Sequence, residues 1–131
     1  MLDNKNVIIG YSGHAYVVAE SFLSRGNILS YYTDLKEASN NPFNLSYLGF
    51  ESSANFKGWG MPLNYILGIG DNNLREKAAN LILSKSMQLV SVIDSNALIS
   101  KSAYIGLGVF ASKGVLVNAF SKIGNFLRMV Y

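Results

Sequence analysis

The stretch that decides the first half of the fold is Val7-Ile8-Ile9-Gly10-Tyr11-Ser12-Gly13-His14-Ala15. Its apolar, β-branched start ends on a glycine, a pattern that is typical of a buried parallel strand. Beyond the turn, apolar residues recur at helical spacing at Ala15, Val18, Ala19, Phe22 and Leu23. The stretch therefore predicts a strand, a glycine-bearing turn and an amphipathic helix, which Gly26 ends.

Two further βα units follow the same pattern. A strand is predicted over residues 28–32, with Asp34 just past its carboxyl end, and another over residues 64–69. The helix after the latter strand is predicted to be capped by Asn73, with Glu76 three residues later. Its predicted buried face consists of Leu74, Ala78, Leu81 and Ile82.

A last strand over residues 88–93 completes the first predicted domain. We interpret most of residues 40–62, which are rich in Asn, Ser and Gly, as loop. Three βα units predict a small, doubly wound, Rossmann-like α/β domain with a parallel sheet, which we assign to residues 1–94.

From Ile93 onward, neither a helical nor a simple strand period fits, but a period of six does. Aliphatic residues recur without a gap at Ile93, Ile99, Ile105, Ala111, Val117 and Ile123. Small residues stand two positions before each of these from Ile99 onward, and turn-forming residues stand one position after each. Six residues form one flat face of a triangular prism, so residues 95–131 are predicted to form a partial parallel β-helix of fewer than two coils. A β-meander is the alternative.

Composition excludes several functional classes. Of 131 residues, 15% are charged, and the net charge of +3 suits an anionic ligand, but no basic run suggests nucleic acid. The chain has no cysteine, which excludes disulfides and thiolate metal sites, and no other metal site is predicted. No apolar stretch approaches the ~20 residues that a membrane span needs. We therefore expect a soluble, cytoplasmic protein.

The turn after the first strand is the first candidate site. Gly10, Ser12, Gly13 and His14 would let a phosphate approach the backbone and the free N–H groups of the following helix. Tyr16 occupies the position of the third glycine of a dinucleotide fingerprint, which counts against an NAD enzyme. A plain strand-to-helix turn is the alternative.

An acidic residue is the second candidate. Asp34 lies about twenty residues past the turn, where a carboxylate accepts hydrogen bonds from a ribose or a base edge. The alternative is a solvated loop aspartate.

Three motifs together resemble the NeuD/PglD family of bacterial sugar acyltransferases, a family of hexapeptide-repeat transferases. The first is Val7 to Ala15, and the second is Gly68-Ile69-Gly70-Asp71-Asn72 with Arg75 and Lys77. The third is Ser95-Asn96-Ala97, Ile99-Ser100 and Ile105-Gly106-Leu107-Gly108-Val109. The resemblance extends to about Phe126.

The resemblance implies a left-handed β-helix and an acetyl-CoA-dependent acetyltransferase with no metal. Its substrate would be a UDP-linked amino sugar or a sialic acid, used in surface-glycan biosynthesis. Family members are homotrimers that hold CoA between neighbouring β-helices. In the family, the backbone at Gly68, Ile69 and Gly70 lines the nucleotide pocket; Arg75 on the following helix would face a phosphate, unless it lies on a solvated helix face.

One departure from the family concerns catalysis. By resemblance, the catalytic histidine lies one coil beyond Asn118, whereas the chain runs to Tyr131 with His14 as its only histidine. His14 belongs by resemblance to the nucleotide turn, so no catalytic residue is assigned. The 131-residue chain is expected to bind a nucleotide sugar without transferring acetyl groups, its abrupt apolar end coming from a frameshift, a premature stop or a cloning boundary.

Two alternatives remain. The first is a non-catalytic nucleotide-sugar-binding module or partner subunit. The second is a small NAD(P)-binding oxidoreductase domain, against which the glycine spacing counts.

Overall fold

Five short strands of the first half form one parallel sheet. The computed structural model describes residues 3–130. The strands are β1 (Lys5–Ile9), β2 (Tyr31–Thr33), β3 (Ser46–Tyr47), β4 (Leu63–Leu67) and β5 (Gln88–Leu89). They pair in the order β3-β2-β1-β4-β5, with β1 central and all neighbours parallel.

One helix covers each face of this sheet, as the alternation of side chains along the strands requires. Helix α1 (Gly13–Leu23) packs over Ile8 and Ile66, while α2 (Asn72–Ser84) packs over Val7 and Leu67. A 3-10 turn (Lys57–Gly60) also lies on the α2 side, where Trp59 packs against the core. The predicted doubly wound α/β fold is thus confirmed.

The predicted start and buried face of α2 need correction. Asp71, not Asn73, caps the helix, and its side chain accepts a 2.9 Å hydrogen bond from the backbone N–H of Leu74. Leu74 is 56% exposed, because the buried face of the helix is centred elsewhere. That face consists of Arg75, Ala78, Ala79 and Ile82.

Seven two-residue strands follow at a strict spacing of six residues. They are β6 (Val92–Ile93), β7 (Leu98–Ile99), β8 (Tyr104–Ile105), β9 (Phe110–Ala111), β10 (Leu116–Val117), β11 (Lys122–Ile123) and β12 (Arg128–Met129). Each of the first four strands pairs in parallel with the strand 18 residues later, which gives three sheets: β6-β9-β12, β7-β10 and β8-β11. This is the start of the predicted parallel β-helix, and parallel pairing excludes a meander.

The β-helix is slightly longer than predicted. Its three sheets make two full coils and the first strand of a third, where fewer than two coils were expected. The predicted strand over residues 88–93 is in fact two strands, because β5 pairs with β4 in the large sheet while β6 pairs with β9. The interior contains small aliphatic side chains, which fit the narrow prism: Ala97, Ala111, Val115 and Val117 are buried.

Hydrogen bonds join α1 to the first coil. Ser21 Oγ donates to Asp94 Oδ2 at 2.5 Å, and Arg25 Nε donates to the carbonyl of Ile93 at 2.6 Å. Ser24 Oγ accepts from the N–H of Ser95 at 3.1 Å. The β-helix therefore packs directly on the α/β unit.

Candidate functional site

The strand order changes direction between β1 and β4, and this position locates the candidate site. Crossovers from these two strands leave toward opposite faces, so their carboxyl ends leave a crevice between them. A cavity of about 820 Å³ lies there. Its wall includes the turn after β1, Asp34 after β2, residues 50–54 after β3, Gly68 to Gly70 after β4, and one side of α2.

Two glycines let the backbone turn closely at this edge. Gly10 has a φ of +85°, which side chains rarely adopt, and its N–H donates to the carbonyl of Thr33 at 2.9 Å. A Cβ atom at Gly68 would lie 2.8 Å from both the Ile9 carbonyl oxygen and Ile8 Cγ1. These positions thus require glycine for backbone reasons, independently of any ligand.

The amino end of α1 faces the cavity. Ser12 is the cap residue in extended conformation, and no side chain caps the first-turn N–H groups. Ser12 and His14 line the cavity, whereas Gly13 between them does not. An uncapped helix start with its positive dipole end favours an anionic ligand.

Asp34 joins two of the turns. Its Oδ2 accepts from the N–H of Tyr11 at 3.2 Å, and its Oδ1 accepts from the N–H of Leu35 at 2.8 Å. Asp34 lies half-buried on the cavity wall. The carboxylate therefore positions the turn after β1, and its remaining lone pairs can still accept hydrogen bonds from a ligand.

His14 lies between the cavity and the β-helix. Its ring packs edge-on against Phe110 of β9, with centroids 5.7 Å apart. The His14 Nε2 is buried and has no hydrogen-bond partner. Burial lowers the pKa of His14 below its usual value, and the charges of Arg128 and Arg75 lower it further. The imidazole is therefore neutral at pH 7.

Arg75 differs from its predicted position. Its side chain is 2% exposed and does not line the cavity. The guanidinium donates to four backbone carbonyls, those of Leu67, Ile69, Gly108 and Phe126, at 2.8–3.3 Å. Burial lowers the pKa of Arg75 to about 10, with a further contribution from Arg128. Arg75 is thus a buried cation that joins α2 and β4 to two turns of the β-helix, not a side chain that faces a phosphate.

Several cavity residues were not predicted, since they come from segments without a periodic pattern. Glu51 is 6% exposed, and its Oε1 accepts from Thr33 Oγ1 at 2.6 Å. Trp59 lies nearby, with Lys85 Nζ 5.9 Å from its ring. Lys77 of α2 and Lys85, the residue directly after α2, add positive charge to the cavity wall. A lone tryptophan and an acid within a polar loop are the signal that could have identified this wall.

Two absences bear on the site. Within residues 3–130, no group of three or more His, Asp or Glu side chains could hold a metal ion. Over the same residues, neither helix is long and apolar enough to cross a bilayer.

Comparison with known proteins identifies the family. Residues 5–82 match the model of the PglD N-terminal domain. The chain belongs to the PglD N-terminal domain family. A comparison with curated protein sequences gives no match.

Solved structures extend the similarity of this PglD-family chain into the β-helix. A variant of perosamine N-acetyltransferase from Caulobacter crescentus, crystallised with CoA and GDP-perosamine, is 29% identical, with a TM-score of 0.87 over 97% of this chain. PerB from the same organism, crystallised with the same two ligands, is 30% identical over 97% of this chain, with a TM-score of 0.83. The chain spans 60% of the length of each of these two proteins.

A third structure shares the fold alone. The acetyltransferase domain of PglB from Neisseria gonorrhoeae, crystallised with acetyl coenzyme A, is 22% identical, with a TM-score of 0.84. The match covers 96% of this chain and 61% of that domain.

Proposed function

We propose that this chain binds a nucleoside-diphosphate sugar at the carboxyl edge of its sheet. The observation that carries the proposal is the convergence of the uncapped α1 terminus and the turns after β1 and β4 on one cavity. The diphosphate would lie against the turn Gly10 to His14 and the backbone of Gly68 to Gly70. Asp34 would accept from the ribose. Neighbours at 29–30% identity that were crystallised with GDP-perosamine support this class of ligand.

The reaction that this binding serves would be transfer of an acetyl group from acetyl-CoA to an amine of the bound sugar. Two of the similar structures contain CoA together with a nucleotide sugar. We propose that the two predicted domains have separate functions. Residues 1–94 would bind the sugar nucleotide, and residues 95–131 would belong to the β-helix that binds the acetyl donor. The product would enter a surface glycan.

Acetyl transfer to an amine needs a base that removes the proton of the attacking nitrogen. His14 is the only histidine of the chain, and it lies in the nucleotide turn, where the diphosphate would bind. We therefore propose that these 131 residues bind the sugar nucleotide without turning it over. A non-catalytic binding module or partner subunit is the second candidate, favoured by this same position of His14.

We propose that the chain assembles into a homotrimer through contacts between the β-helices of neighbouring subunits. Leu98 and Leu116 are paired in register on β7 and β10, and they are 67% and 69% exposed. Tyr104 on the next sheet is 62% exposed. Such apolar side chains on an outer face suit contact with a neighbouring subunit.

Calorimetry tests the binding proposal. Nucleoside-diphosphate sugars should bind the full chain with measurable heat, while NAD should not. Asp34→Ala should weaken binding by about tenfold, the loss of about one hydrogen bond to a charged group. Binding of NAD with no binding of any nucleotide sugar would contradict the proposal.

Thiol release from acetyl-CoA in the presence of amino-sugar nucleotides tests the catalytic part. We expect no turnover above the uncatalysed rate. Turnover that is abolished in His14→Ala would instead make His14 the base, and turnover that survives the substitution would show that another base acts.

A further inference from the structure

Glu51 is an acid that the binding of phosphates does not explain. It is 6% exposed, yet it lies on the wall of the cavity. Its hydrogen bonds from Thr33 Oγ1 and from its own backbone N–H use two of about four lone-pair positions of the carboxylate. Within residues 3–130, no ion pair to Glu51 is found. A buried carboxylate without a cationic partner is costly unless further donors satisfy it.

Glu51 lines the cavity together with four apolar side chains, Trp59 of the 3-10 turn and Leu74, Ala78 and Leu81 of α2. We call the part of the cavity that these four side chains line the apolar slot. Trp59 is held in place by Phe56 and Tyr65, whose ring centroids lie 4.9 and 5.4 Å from its own. An apolar slot with a fixed aromatic ring suits a planar heterocycle, because every nucleobase has a flat π face that can stack on an aromatic side chain.

Glu51 and the turn after β1 line the same cavity, and Thr33 is hydrogen-bonded to both. Thr33 is the last residue of β2 and donates to Glu51, while its carbonyl accepts from the N–H of Gly10. A nucleotide with its diphosphate at Gly10 can therefore direct its base into the slot.

The carboxylate then distinguishes among bases by their edges. Guanine presents two adjacent donors, the ring N1–H and the 2-amino group, which match the two acceptor oxygens of a carboxylate. Uracil presents a single N–H between two carbonyl oxygens, and those oxygens would face the carboxylate unpaired. Adenine and cytosine each present an amino group beside a ring acceptor. Guanine is the base whose edge satisfies Glu51 most fully.

We propose that Glu51 is a specificity-determining residue and that the chain prefers guanosine-diphosphate sugars over the uridine-linked sugars that the family resemblance implies. This inference rests on the proposed function, because it requires that a nucleotide occupy the cavity. It changes the expected substrate class from uridine-linked to guanosine-linked sugars.

Calorimetric titration of the full chain with GDP, IDP and UDP tests the proposal without altering the protein. IDP differs from GDP only by lacking the 2-amino group. Loss of one hydrogen bond to a charged acceptor should weaken IDP relative to GDP by about tenfold or more. UDP should bind more weakly still.

Substitution then assigns the effect to the residue. Glu51→Gln should reduce the affinity for GDP by about tenfold or more and abolish the difference between GDP and IDP, since the amide offers only one acceptor oxygen. Glu76→Gln is the matched control, because Glu76 is exposed on α2 and lies outside the cavity. The control should bind all three nucleotides as the wild type does.

The outcomes separate the two proposals. A wild-type affinity for UDP equal to or above that for GDP would overturn the guanine preference and leave the proposed function intact. Failure of all three nucleotides to bind would overturn the proposed function and this inference with it. A preference for GDP over IDP that persists in Glu51→Gln would overturn the role of Glu51.

Discussion

The α/β unit and the β-helix of this chain differ in how far each buries its own apolar surface. The large sheet is covered on both faces, and its two clusters contain large side chains that are almost fully buried, such as Ile8, Tyr32 and Tyr65. The β-helix cluster contains four buried residues, all Ala or Val. Its outer surface leaves Leu98, Leu116 and Phe120 more than 60% exposed.

This difference shows that the two units obtain stability in different ways. Each coil of a β-helix buries only a narrow column of side chains and is stabilised by contact with the coils or surfaces next to it. The stability of a short β-helix therefore depends on the surface that packs against its end. Here the covering surface is the α/β unit, through hydrogen bonds from Ser21, Arg25 and Arg75. The two units also share a core, since Val92 and Phe110 of the β-helix pack in the same cluster as Ile8 and Ile66 of the large sheet.

The largest expected effect comes from removing the cation between the units. Arg75→Met should lower the free energy of unfolding by at least about 3 kcal/mol, because buried carbonyls lose their donor. Urea denaturation measures it, and Lys36→Met, at an exposed position, is the control. A loss below about 1 kcal/mol, as for a surface ion pair, would show that Arg75 does not join the units.

The contact between α1 and the first coil should have a smaller effect. Asp94 is buried and accepts from Ser21 Oγ and the N–H of Asn96. Burial raises its pKa, but these hydrogen bonds and the charges of Lys113 and Arg25 outweigh burial, so the net pKa is lowered. Asp94→Ala should cost about 1–3 kcal/mol in urea denaturation at pH 7.

The exposed ion pair across the same boundary sharpens this test. Lys113 Nζ lies 3.1 Å from Glu20 Oε1, and both side chains are about two-thirds exposed. Glu20→Ala should change the free energy of unfolding by less than about 1 kcal/mol. Equal losses in Glu20→Ala and Asp94→Ala would contradict the importance of burial at this boundary.

Two phenylalanines at β-helix turns allow the cost of a positive φ angle to be compared with the gain from side-chain packing. Phe120 and Phe126 have φ values of +62° and +65°, a region that favours glycine. Phe120 is 82% exposed, so Phe120→Gly should raise the free energy of unfolding by roughly 1 kcal/mol through relief of strain. Phe126 packs against the α2-side cluster, so Phe126→Gly should destabilise the chain. Thermal melts compare them, and destabilisation by both substitutions would rule out relief of strain.

The pH dependence of stability should reveal the position of His14. Its pKa is lower in the folded chain than the ~6.5 of an unfolded chain. The unfolded state therefore binds more protons as the pH falls below about 6.5, so this group reduces stability progressively below that pH. His14→Asn should lose less stability between pH 7 and pH 5 than the wild type, as urea denaturation at both pH values would show. An identical loss in both proteins would contradict the burial of this imidazole.

Periodicity explains why most of the fold could be predicted. A six-residue repeat admits one register in a triangular prism, so the positions of β7 to β12 follow from the aliphatic column alone. The face of α2 could not be predicted in the same way, since a buried Arg75 runs against the usual exposure of arginine. When Arg75 is assumed to be exposed, the apolar residues of α2 alone predict a buried face that includes Leu74.

The cavity shows the same limit. The turns after β1 and β4 were predicted because glycines mark them in the sequence. Glu51 and Trp59 reach the cavity only because β3 and the 3-10 turn place their loop beside α2, and neither residue belongs to a helical or strand period. Their contribution depends on tertiary structure.

The central claim is that the α/β unit alone provides the nucleotide site. Amide chemical shifts of the full, 15N-labelled chain, recorded during titration with GDP, test this claim residue by residue. If the nucleotide binds there, the largest shifts will occur at Tyr11, Ser12, His14 and Gly68 to Gly70, and the amides from Leu98 to Leu116 will not shift. Shifts confined to the β-helix, with these turns unaffected, would contradict it.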